Sequence, residues 1–197
     1  MKSNNQKFKD AVKQNLENNI YNHSLSLEAC MLGLYDYFST NNLLDTNEPT
    51  REEWGIAGLI HDIDFASDTK ELHPLKTREV LARYGLEISD TIQQLILAHD
   101  GRQNIKMDSK AKWSIFCADS LTGLITAVAF VYPDRKLSSV KVSSVLKRFL
   151  KEPKFAAGTR RDEVSRCAEP LGLNMPIGQF IEICLISMQK IAPEIGL

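Results

Sequence analysis

Apolar residues recur every three or four positions along nearly the whole chain, and no stretch keeps the strict alternation of a half-buried strand. That period predicts helices over residues 6–18, from near His23 onward, 51–61, 73–85, 89–99, 109–132, 138–150, 160–168 and 177–191. The helix after His23 carries Leu25, Ala29 and Leu32 on one face and Leu27, Met31 and Leu34 on another, so it is expected to lie in the core. A polar loop follows over 39–49, and Thr50 with Glu53 reads as a capping box. The helix it starts puts Trp54, Ala57 and His61 on one face. Residues 64–72 read as a loop, and His73-Pro74 reads as a helix start, because proline is tolerated at the first helical position. Gly85, Asp100-Gly101 and Pro133 end their helices, and Asp108 or Ser109 caps the long one between. The expected fold is all-α, a compact helical bundle forming a single domain over 1–197.

Composition changes this picture little. With 197 residues, 43% of them hydrophobic and 25% charged, the chain is large enough for one core. A net charge of −1 gives no global pull toward nucleic acid or membrane. Its distribution is uneven. Residues 22–72 hold ten acidic and two basic side chains, whereas 136–161 hold eight basic and one acidic, a stretch that could face an anionic substrate or simply be solvated. Cys30, Cys117, Cys167 and Cys184 form no C-x-x-C pair and read as small buried hydrophobes in a reducing compartment. The N-terminus is polar, with no apolar core of a signal peptide. Asp119, Thr122 and Pro133 interrupt the longest apolar stretches, so no membrane span is expected, and a cytoplasmic location is.

The candidate chemistry lies in four histidines, His23, His61, His73 and His99, with Asp62 beside His61 and Asp119 inside an apolar stretch over 115–125. Imidazole and carboxylate suit Mn, Fe, Ni, Co and Zn, and carboxylate also suits Mg. Neighbours on an ideal helix point about 100° apart, so His61 and Asp62 reach one ion only if the helix ends there or if Asp62 leans to a second ion. A buried carboxylate at Asp119 needs a cation, an arginine or helix amides.

His23, His61-Asp62 and Asp119, in this order on an all-helical chain, resemble the H…HD…D pattern of the HD-domain superfamily of metal-dependent phosphohydrolases. The runs NHSLSLEACM, WGIAGLIHDIDF, FCADSLTGLI, KVSSVLKRF and the C-terminal QFIEICLISMQKIAPEIGL are similar to a small bacterial family of hydrolases within it, so the resemblance covers about Tyr21 to Leu197. It implies a metal-site core over about 21–132, with C-terminal helices over about 136–197. It implies that His23, His61, Asp62 and Asp119 ligate one divalent cation, that Asp62 bridges to a second held by His73 and His99, and that Asp62 and Asp119 are the catalytic carboxylates. His73 also reads as an N-cap or surface residue beside Pro74, and His99 as a histidine favoured by a helix C-terminus. Asp64 is expected to orient a ligand histidine. The chain has His99-Asp100 where the HD-GYP cyclic-dinucleotide phosphodiesterases show paired histidines, and it lacks their GYP loop.

The implied activity is hydrolysis of a small-molecule phosphomonoester or phosphodiester, such as a nucleotide, with one or two metal ions. Lys76, Arg102, Arg160 and Arg161 are the residues expected to hold phosphate, alongside Arg78 and Lys112. Two other readings stand beside it. The six-ligand set is also similar to that of HD-type di-iron oxygenases, and an HD scaffold can serve as a non-catalytic nucleotide-binding or regulatory module. Neither membrane nor nucleic acid is an expected partner, and a homodimer is left open.

Overall fold

Ser24 through Met31 are buried without a break near the start of one helix, and a segment buried on every side must lie inside the molecule. The computed structural model describes residues 4–66 and 68–197. Residues 1–3, part of the polar N-terminus, and Ser67, in the expected 64–72 loop, lie outside the described residues. In chain order these form α1 (Asn4–Asn15), α2 (Asn18–Thr40), α3 (Arg51–Ile60), α4 (Thr77–Ala82), α5 (Asp90–Ala98), α6 (Lys110–Phe130), α7 (Val142–Lys151), α8 (Arg161–Ser165) and α9 (Ile177–Lys190), with short 3-10 turns between and no strand among the described residues. The buried helix is α2. It packs most widely on α3, and α6 and α9 complete its surroundings. One hydrophobic cluster runs from Phe8 to Ile195. The all-α bundle is therefore observed.

Local signals set most of the boundaries. Thr50 accepts from the Glu53 amide while Glu53 accepts from the Thr50 amide, the expected capping box. Of the two residues expected to cap α6, Ser109 does so. By length and composition α6 could cross a membrane, but 72% of that apolar window is buried by neighbouring helices. All four cysteines are free and buried, as expected, and burial pushes the Cys167 thiol up to about 12.

Helix α4 ends at Ala82, short of Gly85, α8 covers only Arg161–Ser165 of the expected 160–168, and three other boundaries differ more. Helix α1 stops at Asn15 and α2 begins at Asn18, so His23 lies in the second turn of α2, not at its start. Glu17 between them is extended. His73-Pro74 does not open a helix. His73 is extended (φ −58°, ψ 136°), as a residue before proline prefers, and α4 starts at Thr77. Helix α7 starts at Val142 and not near 138, because Val140 is extended and buried, with Gln189 donating to the Leu137 and Val140 carbonyls.

Two glycines let helices approach closely. A Cβ on Gly33 would sit 2.0 Å from Ser187 Oγ on α9. One on Gly58 would sit 3.0 Å from both the Glu28 nitrogen and the Leu27 oxygen of α2, which are backbone atoms that cannot rotate away. Gly58→Val must push α3 off α2. It is expected to lower stability by about 1–3 kcal/mol in urea denaturation, the usual range for overpacking.

Candidate metal centre

The elements that meet at one end of α3 carry all six expected ligands. His23 comes from the second turn of α2 and Asp119 from the middle of α6. His61 is the C-cap of α3, and the chain turns immediately after it. That turn is what brings two adjacent side chains together: Asp62 Oδ2 lies 3.3 Å from His61 Nε2. His73 follows a 3-10 turn (Lys70–Leu72), and His99 is the C-cap of α5.

Asp62 divides its two oxygens between two histidine pairs. Oδ2 faces His61 and also His23 Nε2 (3.7 Å), while Oδ1 faces His73 Nε2 (3.3 Å) and His99 Nε2 (3.9 Å). Within each pair the Nε2 atoms are 3.1 Å apart. Asp119 Oδ1 completes the first group, 2.9 Å from His23 Nε2 and 3.7 Å from His61 Nε2. Donor atoms bound to one ion at ~2.0–2.2 Å stand roughly 3–3.5 Å from one another at ordinary coordination angles. Five of these eight separations have that scale, and three, at 3.7–3.9 Å, are somewhat longer. The His/Asp groups are positioned to hold a metal ion.

Ring orientation points the same way. His61 Nδ1 donates to the Gly58 carbonyl (2.8 Å), and His99 Nδ1 donates to the Ile96 carbonyl. Thr122 Oγ1 spends its proton on the Asp119 carbonyl (2.8 Å), so toward His23 Nδ1 (2.9 Å) it accepts. His73 Nδ1 donates to Asp64 Oδ1 (2.7 Å). Each imidazole thus anchors its Nδ1 proton to an oxygen and turns Nε2 toward the acids, the arrangement in which outer partners fix the tautomer of a ligand histidine. Asp64 is fully buried and also accepts the Lys76 amide (2.8 Å), so it holds the 73–76 turn as well as the ring.

The titration directions follow from this crowding. Burial alone would raise Asp62 and Asp119, but His61 acting on Asp62 and His23 acting on Asp119 outweigh it, and both stay far below the usual carboxylate range. Burial, reinforced by His61, pushes His99 down to about 4. Burial opposes a rise at His23 and His73, yet Asp119 and Asp64 respectively bring each above its ordinary value. Near these acids the Arg160 guanidinium is 2.6 Å from Asp119 Oδ2 and also pairs with Glu163.

The centre opens into a cleft of about 820 Å³, walled by Phe65, Arg102, Arg160 and the 156–159 turn. Of the four residues expected to hold phosphate, Arg102 and Arg160 line this cleft and the other two do not. Lys76 turns its amine to Glu79 and contributes to the centre only through its amide. Arg161 is spent on main-chain carbonyls, those of Phe155 (2.6 Å), Phe149 (3.2 Å) and Glu152 (3.3 Å), and so braces the segment that carries Arg160. Of the two further basic residues, Arg78 pairs with Asp90 and Lys112 with Asp108. Thr122, Asp100, Glu163 and the Gly58 and Ile96 carbonyls are participants that sequence reasoning did not single out. Thr122 had a readable signal, a polar residue one turn after Asp119 in an apolar helix. Comparison with protein-family models, with curated proteins and with solved structures finds no match to this chain.

Proposed function

We propose that the chain is a metal-dependent phosphohydrolase of the kind its resemblance to the HD-domain superfamily implies. The observation that carries this reading is the convergence of four Nε2 lone pairs and two ionised carboxylates. Lone pairs 3.1 Å apart repel unless a proton or a cation lies between them. His23, His61, Asp62 and Asp119 would hold one ion, and Asp62, His73 and His99 a second. Divalent cations bound there supply two things: a lowered pKa for water and polarisation of a phosphoryl oxygen.

The chain's own groups do the remaining work. The four Nδ1 bonds hold the rings in place, so little reorganisation is needed on binding. Arg160 and Arg102 place guanidinium groups at the cleft wall, a geometry that pairs with phosphoryl oxygens. Asp100 holds Arg102 there through bonds of 2.9 and 3.1 Å.

The test is metal analysis of protein purified without chelator, followed by assay on a panel of phosphate esters with Mn, Fe, Ni, Co, Zn and Mg. The expected results are about two ions per chain and ester hydrolysis that chelation abolishes. His73→Ala is expected to reduce the ions from about two to about one, since it leaves the first group intact. An unchanged metal count in that variant contradicts the two-ion arrangement. About two irons per chain with oxygen consumption and no ester cleavage would replace hydrolysis by oxygenation.

A further inference from the structure

The metal centre borders two clefts, and they differ in charge. The first is the 820 Å³ cleft with Arg102 and Arg160. The second, of about 550 Å³, starts from the same His23, Asp62, Phe65 and Gly123 and runs the other way, toward the start of α2 and the end of α6. Beyond those shared residues, the described residues that wall it include no lysine, arginine, aspartate or glutamate. They offer instead the carboxamides of Asn18 and Asn19, the Oδ1 of Asn22 (its Nδ2 donates to the Ile195 carbonyl, 3.2 Å), the hydroxyl of Thr126, and the apolar surfaces of Phe130 and Ile195. Phe130 is 55% exposed, a large ring that serves no part of the core. Gly123 lines both clefts, and a Cβ there would meet nothing within 4 Å, so the backbone leaves open space at the point the two clefts share.

A charge that enters a site without a partner loses its hydration uncompensated, whereas a neutral polar group finds donors and acceptors in carboxamides. We propose that the substrate lies across both clefts, its phosphoryl group on the Arg160 side and its other half, uncharged and hydrogen-bonding, in the Asn19–Phe130 groove. The chain would then be selective for phosphomonoesters of neutral alcohols and would discriminate against polyphosphates, whose leaving half is anionic. This rests on the phosphohydrolase reading and narrows its substrate class.

Uridine 5′-monophosphate and uridine 5′-diphosphate form a matched pair. Water displaces uridine from the first and uridine monophosphate from the second, breaking one P–O bond and releasing inorganic phosphate in each case. For the Mn-loaded protein kcat/KM should be at least ~10-fold higher for the monophosphate, since an uncompensated charge costs at least the ~1.4 kcal/mol of one decade. Asn19→Lys adds a cation to the groove at an exposed position and should shrink that ratio at least ~5-fold. A preference for the diphosphate, or a ratio that Asn19→Lys does not move, overturns the proposal. A second measurement needs no turnover: ligand-observed NMR of phosphate-free uridine with the same protein. Uridine should bind, and Thr126→Trp, which fills the groove, should abolish binding, while Phe130→Ala, at a side chain outside the core, should weaken it at least ~3-fold. Binding that neither variant affects, or no binding at all, overturns the groove assignment. If uridine binds as expected but no ester is cleaved, the phosphohydrolase reading falls and the groove stands.

Discussion

Asp62→Ala is expected to empty both halves of the centre at once. Among the described residues, no other carboxylate lies within ion-pair distance of both histidine pairs, with Oδ2 toward His23 and His61 and Oδ1 toward His73 and His99. Its loss leaves the second group with imidazoles alone and the first with only Asp119 as a charged donor. Metal content should fall from about two ions per chain to well under one, and turnover on the best ester by ~10³-fold or more, the equivalent of the several kcal/mol that metal-ion catalysis supplies. Far-ultraviolet circular dichroism should be little changed, because Asp62 sits in a turn after α3 and not in the apolar cluster. Elemental analysis beside initial-rate kinetics checks both numbers. Full turnover by Asp62→Ala would remove it from the mechanism.

The second large effect is on stability. A cation that binds the folded chain and not the unfolded one adds about 2.7 kcal/mol at a hundredfold excess over its Kd. For a chain of 197 residues, each kcal/mol moves Tm by roughly 2–4 °C, so chelation should lower Tm by roughly 5–10 °C for each ion it removes. Asp62→Ala should already sit near the chelated value and should not respond to chelator. Differential scanning calorimetry with and without chelator reads both. The direction follows from the centre itself, because residues in or capping α2, α3, α5 and α6 would supply the ligands, and bound cations would tie those helices together.

Much of this was legible in the chain. A 3.6-residue period names helices without needing a partner, so α2, α3, α5, α6 and α9 follow from the pattern of apolar positions. The capping box at Thr50 and the cap at Ser109 are local chemistry and were readable as such. The six His and Asp candidates were named from the sequence, and the structure brings their side chains together. The 73–76 turn was not legible, because a tertiary contact sets it: the Asp64 carboxylate holds both the His73 ring and the Lys76 amide. Basic side chains were the weakest ground. Arg160 and Arg161 are neighbours in sequence, yet one reaches Asp119 and the other is consumed by carbonyls of the preceding loop. Nothing in residue type separates them, since the destination of a long flexible cation depends on which acceptors the fold leaves open. The neutral groove was likewise invisible, because Asn18, Asn19, Thr126 and Phe130 come from opposite ends of two helices that only folding brings together.

The most direct measurement is an anomalous-difference map from a crystal grown with manganese and collected at a wavelength where that ion scatters anomalously. Two peaks are predicted, one among His23, His61, Asp62 and Asp119 and one among Asp62, His73 and His99, with Asp62 touching both. A map with manganese bound elsewhere, or with no peak within reach of these Nε2 atoms, would contradict the metal centre and with it the proposed hydrolysis.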